Sequence, residues 1–191
     1  MRALILLPFL SSPALSGPIL SEVTGNWAGE SNQGFYFRAQ MEDKGDHVAL
    51  QIWNGMGAVP EATGDPAMRV ETLMFRDNLI EPGEQRLELI PGSDTMTLLA
   101  VTESADEQAE TREALTIQFM DNMFMATGYY WRITDYQSPD MSYECDADLA
   151  SGKTMFGGSE EPGPALSFED KNAALWTPTR IFELGYCPNP S

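Results

Sequence analysis

The sequence predicts an all-β protein: an antiparallel meander that closes into a barrel or, as the alternative, a two-sheet β-sandwich. Three observations carry this. Apolar residues alternate with polar ones in short runs, turn formers separate the runs, and 3.6-residue periodicity is nearly absent. A first run covers 24–30 and ends in Ser31-Asn32-Gln33-Gly34. The next, over 35–41, turns through 42–46 into a third at 47–53. Residues 54–66 are rich in Gly and Pro and read as a long loop. Further strands are expected at 68–76, 85–90 and 95–101, with Pro82-Gly83 and Pro91-Gly92-Ser93 as turns. Over 102–113 the chain becomes acidic. Ser104 followed by Glu107 has the form of a capping box, which starts a short helix; a solvated hairpin arm is the other reading. The clearest hairpin joins 114–120 to 123–133 through Asp121-Asn122, residues that tolerate the positive φ of tight turns. A further hairpin is expected from 141–149 with a turn at 150–153, then a loop over 157–164 and closing segments at 167–170 and 174–186. About ten strands in sequence order suit either architecture, and closure would remove exposed edges.

The N-terminus carries one positive charge at Arg2, a short apolar stretch from Ala3 to Leu10, and small residues at Ala14 and Ser16. These are the parts of a secretory signal peptide, so 1–16 is expected to be removed near Ser16 and 17–191 to form a single β-rich domain, periplasmic or secreted. In such a compartment the two cysteines, Cys145 and Cys187, are expected to form a disulfide. No apolar run reaches the roughly 18 residues a spanning helix needs, so no membrane span is expected.

Charge narrows the partners. Eleven Lys plus Arg against 29 Asp plus Glu give a net −18, which repels a phosphate backbone, so no nucleic acid is expected. A basic protein partner is favoured by the same field. The single histidine, His47, excludes most His-based catalytic and metal sites, and no activating Ser or Cys motif accompanies it.

Gly25-Asn26-Trp27 on the first strand resembles the opening of the lipocalin and wider calycin families. The resemblance implies a lipocalin-like barrel whose Trp27 closes one end beneath an Arg from a late strand, here Arg132 or Arg180. It also implies a ligand cup rather than an active site. The family's Thr-Asp-Tyr triplet does occur, but at 134–136, after a late strand instead of an early one.

Alternation places the large side chains Phe35, Phe37, Trp53, Met74, Phe119, Met125, Tyr129 and Trp131 on inward faces, as the lining of an apolar ligand pocket. Other chemistries fare worse. Met120, Met123 and Met125 could offer thioethers to Cu(I), but such side chains more often fill cores. Asp146-x-Asp148 has the start of a calcium loop, yet Gly152 falls one place late and no Glu closes it. No metal or cofactor is implied. The expected function is an exported, non-enzymatic protein holding a small apolar or amphipathic ligand. The alternatives are an acidic envelope interaction protein or inhibitor of a cationic hydrolase and, at lower weight, a carboxylate-based hydrolase.

Overall fold

Alternation becomes strand geometry over β1 (Ile19–Asn26), β2 (Phe35–Asp43), β3 (His47–Met56), β4 (Met68–Phe75), β5 (Glu84–Pro91) and β6 (Met96–Ala105). It continues through β7 (Ala109–Met120), β8 (Met123–Asp135), β9 (Tyr143–Asp148), β10 (Lys153–Phe156) and β11 (Ser159–Pro162). The computed structural model describes residues 17–29, 34–75, 84–92 and 95–189. The expected signal peptide over 1–16, and the expected turns over 31–33, at 82–83 and at Ser93, lie outside them.

The strands form two antiparallel sheets, a four-stranded one in the order β1-β2-β3-β4 and a seven-stranded one running from β5 to β11. Barrel closure needs a backbone ladder at every seam. Among the described residues no such ladder joins β1 to β5. They meet through the Leu87 N–H donating to Ser21 Oγ at 3.0 Å, and beyond them the Met96 N–H donates to the Trp27 carbonyl at 3.0 Å. The expected closed barrel is therefore replaced by two sheets with the core between them. Thr102 of β6 bridges that core, its hydroxyl donating to Met74 Sδ of β4 at 3.5 Å.

Unequal sheets leave a problem of coverage, because four strands cannot shield the inner face of seven. The C-terminal segment supplies the missing cover: Trp176, Ile181 and Tyr186 are buried in the same core as Leu115, Ile117 and Ala147. It holds a 3-10 turn at Ala173–Leu175 and the short helix α1 (Arg180–Glu183). Cys187 is bonded to Cys145 of β9, their Cα atoms 5.9 Å apart, so the segment is stapled to the sheet it covers. Gly163 permits close approach there, since a Cβ at that position would stand 2.3 Å from the Tyr186 ring.

The hairpin at Asp121-Asn122 forms as expected, with φ of 51° and 62°, the two positive values of a type I′ turn. The expected helix after Ser104 does not form. Asp106 instead accepts the N–H groups of Gln108 and Ala109 at 2.6 and 2.8 Å, and this side-chain turn carries β6 into β7 as a hairpin arm. The loop expected over 157–164 contains a strand, β11, entered through Gly157 and Gly158 at φ of 57° and 79°.

Candidate functional site

Six of the eight large side chains expected to line a pocket belong to the interior, divided between its two ends. At one end Trp27 stacks on Phe37 with centroids 4.0 Å apart and meets Phe119 and Phe124 at 6.0 and 5.9 Å. Phe35 packs on Phe119 at 4.9 Å. At the other end Trp131 packs on Tyr143 at 4.9 Å and on Phe182 at 5.3 Å, while Tyr129 faces Trp176 at 5.8 Å. Phe124 and Trp131 lie seven residues apart on β8, roughly 23 Å at strand rise, so the two groups do not surround one point. Met74 is buried in the core.

Trp53 and Met125 take the opposite faces of their strands. Val48, Leu50 and Ile52 occupy the core side of β3, which sends Trp53 outward, where its indole N–H donates to the Gly64 carbonyl of the 57–67 loop at 3.4 Å. Phe124 and Ala126 take the core side of β8, and Met125 forms an isolated bridge with Asn172. Trp27 is 3% exposed and its N–H donates to Asn54 Oδ1 at 2.9 Å. Its ring partners are phenylalanines. Arg132 pairs instead with Glu110 at 2.5 Å, and Arg180 with Asp170 at 3.0 Å.

Sequence reasoning passed over Glu113. It shares the inward parity of Leu115 and Ile117 on β7, and the Tyr129 hydroxyl donates to its Oε1 at 3.1 Å. Burial pushes the carboxyl up to about 8, against the smaller opposing effect of that hydrogen bond. Burial and the neighbouring Glu113 likewise raise the Tyr129 phenol. The pair is a neutral acid beside a neutral phenol at pH 7, and among the described residues its hydrogen bond joins it to no nucleophile.

An open concavity among the described residues lies on the outer face of the seven-stranded sheet. Register sets Ala114 opposite Tyr130 and Thr116 opposite Gly128 between β7 and β8, with Leu99 opposite Thr116 on β6. Small side chains at the middle of the sheet leave a groove of about 320 Å³ floored by Leu99, Ala114, Thr116 and Gly128 and rimmed by Arg112, Tyr130 and Asp146. A Cβ at Gly128 would come 3.2 Å from Thr116 Oγ1, so glycine keeps this floor low. Beyond Asp146 a second recess of about 120 Å³ is walled by Asp148, Lys153, Met155 and Glu160.

Charge differs across the groove. On the β6 side Arg112 pairs with Glu103, whose other oxygen takes Arg86 at 2.6 Å. The hydrogen bond from Arg86 and the charges of Arg112, Arg86 and Arg132 hold the Glu103 carboxyl below its ordinary range. On the β9 side Glu144 accepts the Tyr130 hydroxyl at 2.8 Å, and Asp148 caps its own turn by accepting the N–H groups of Ala150 and Ser151. That use of Asp148 is the turn role which the calcium-loop spacing imitated. Asp146 between them makes no ion pair, and its carboxylate accepts no hydrogen bond among the described residues. Partial burial, then the charges of Glu144 and Asp148, push its carboxyl up.

His47 sits at the surface with Nδ1 2.5 Å from Asp46 Oδ1 and faces no nucleophile in the contacts it makes. Comparison with protein-family models, with curated proteins and with solved structures returns no match for this chain.

Proposed function

We propose that this chain is an exported, non-catalytic binding protein whose ligand lies on the outer face of its seven-stranded sheet rather than between the sheets. The observation that carries the reading is the groove itself. Its floor is built from small apolar and hydroxyl side chains at the centre of a rigid sheet, and its rim is polar, the composition that suits a small amphipathic ligand. The interior argues the other way, since Phe35, Phe37, Phe119 and Trp131, assigned to a ligand cup, pack against other rings. On this reading the architecture is a two-sheet sandwich sealed by its C-terminal segment. The Gly-Asn-Trp triplet then marks a buried end of the core, not the mouth of a barrel. Export is supported by the leader-like N-terminus and by the Cys145–Cys187 bond, which persists in oxidising compartments.

A second reading has its own support. The net charge of −18 and the exposed Met155 beside the acids of β9 and β11 suit a basic protein partner docked over the same face.

Titration with the neutral apolar dye N-phenyl-1-naphthylamine tests the first reading. Saturable fluorescence enhancement is expected for the native chain. It should vanish in Thr116→Trp, which fills the groove, while the thermal transition stays in place. Enhancement that persists in Thr116→Trp would place the dye in another site and defeat the assignment.

A further inference from the structure

We propose that the outer groove selects a cation, namely an aliphatic stem ending in an ammonium group. The inference rests on the groove being the binding site and adds the class of its ligand.

Two features meet at the groove. The first is an apolar trough. Leu99, Ala114 and Gly128 offer carbon surface to a stem, and the Tyr130 ring stands at the rim, where a π face attracts a cation. The second is an imbalance of charge between its two sides. Each basic group in reach already has a carboxylate: Arg112 and Arg86 share Glu103, Arg132 pairs with Glu110, and Lys153 pairs with Glu160 at 2.8 Å. On β9 Glu144 accepts the Tyr130 hydroxyl and lies within the field of Arg132, and Asp148 accepts backbone amides and lies within the field of Lys153. Asp146 between them has no cationic partner among the described residues.

Asp146 is also the residue common to the groove and to the smaller recess beyond it. A stem lying along the floor would bring its head group to that carboxylate and to the Tyr130 ring. An anionic head at that end would meet Asp146, with Asp148 beyond it in the smaller recess, and be repelled, while Arg112 on the opposite rim is already neutralised by Glu103. A neutral sugar head would gain hydrogen bonds without the charge. The ammonium is therefore the head group that this rim complements.

Isothermal titration at low salt and pH 7 with three probes of equal tail separates the possibilities: n-octylammonium, n-octyl-β-glucoside and n-octanoate. Octylammonium should bind about fivefold to tenfold tighter than the glucoside, and octanoate more weakly than either. Asp146→Asn should remove most of the preference for ammonium while leaving glucoside binding in place, and 0.5 M NaCl should do the same by screening. Equal binding of the three heads, preference for octanoate, or an unchanged preference in Asp146→Asn would overturn the cation assignment while the groove remained the site. Binding of all three to Thr116→Trp with unchanged affinity would instead overturn the groove. A blocked hexalysine peptide distinguishes sources: if it competes with octylammonium the cation can be a lysine side chain of a protein, and if it does not, the cation is a free amine.

Discussion

Glu113→Gln isolates the energetic consequence of the one inward carboxyl on β7. Unfolded, a glutamate ionises near 4.5; folded, burial carries this one to about 8. Below pH 4.5 both states hold the proton and the residue has no pH-dependent effect. As pH rises through 4.5 the unfolded chain loses its proton first, so the folded state falls behind by about 1.4 kcal/mol per pH unit, on the order of 3 kcal/mol at pH 7. The loss levels off above pH 8, where both states are ionised. Glutamine keeps a carbonyl oxygen to accept the Tyr129 hydroxyl and has nothing to ionise. The variant should therefore match the native chain at pH 4.5 and gain on it progressively, by on the order of 3 kcal/mol at pH 7, or a rise of about 6–12 °C in Tm for a domain of this size. Urea unfolding followed by tryptophan fluorescence at pH 4.5, 6, 7 and 9 gives the difference directly. Carboxylates held low, such as Glu103 and Asp170, contribute equally to both proteins and cancel. A stability difference that stays constant with pH would show that Glu113 ionises freely in the folded state and refute the reasoning.

Three further outcomes follow from the packing. Cys187→Ser opens a loop of 42 residues and should cost about 4 kcal/mol by the chain-entropy estimate; an unchanged urea midpoint would mean that the C-terminal cover holds without its staple. Gly163→Ala drives a methyl group into the Tyr186 ring and should cost about 1–3 kcal/mol, a penalty that disappears in a Tyr186→Ala background; equal penalties in both backgrounds would exclude that contact as the cause. At the β7–β8 turn Asn122→Gly should be neutral or stabilising by up to about 0.5 kcal/mol and Asn122→Val destabilising by about 1–2 kcal/mol, and the reverse order in thermal melts would contradict the positive φ of 62°.

Local chemistry was legible where one interaction decides it. Asp121-Asn122 could close only a tight hairpin, and two cysteines behind a leader-like N-terminus pointed to each other. The alternation on β7 and β8 correctly aimed Phe119, Tyr129 and Trp131 inward. Parity failed on β3, because every residue from Val48 to Trp53 is buried and Gln51 alone, on the face of Trp53, marks the outside. It failed for Met125 because the ladder slips at Thr116/Ile117, which offsets that end of β8 from the end carrying Tyr129 and Trp131. Glu113 was readable, two residues before Leu115 and four before Ile117, but a charged residue among acids does not announce burial. The choice between barrel and separate sheets depended on what covers β8 and β9. That cover comes from residues 173–187, distant in sequence and without strand periodicity. The groove was hidden for a related reason: Ala114, Thr116 and Gly128 matter for what they leave empty, and their alignment exists only once β6, β7 and β8 are in register.

The placement of the ligand outside the sheets is tested most directly by amide chemical-shift mapping of the ¹⁵N-labelled chain during titration with n-octylammonium. Saturable shifts are expected at Thr116, Gly128, Tyr130 and Asp146, with the amides of Phe37, Leu50 and Leu98 unmoved. Shifts centred on those interior residues, or no saturable shift at the groove, would contradict that placement.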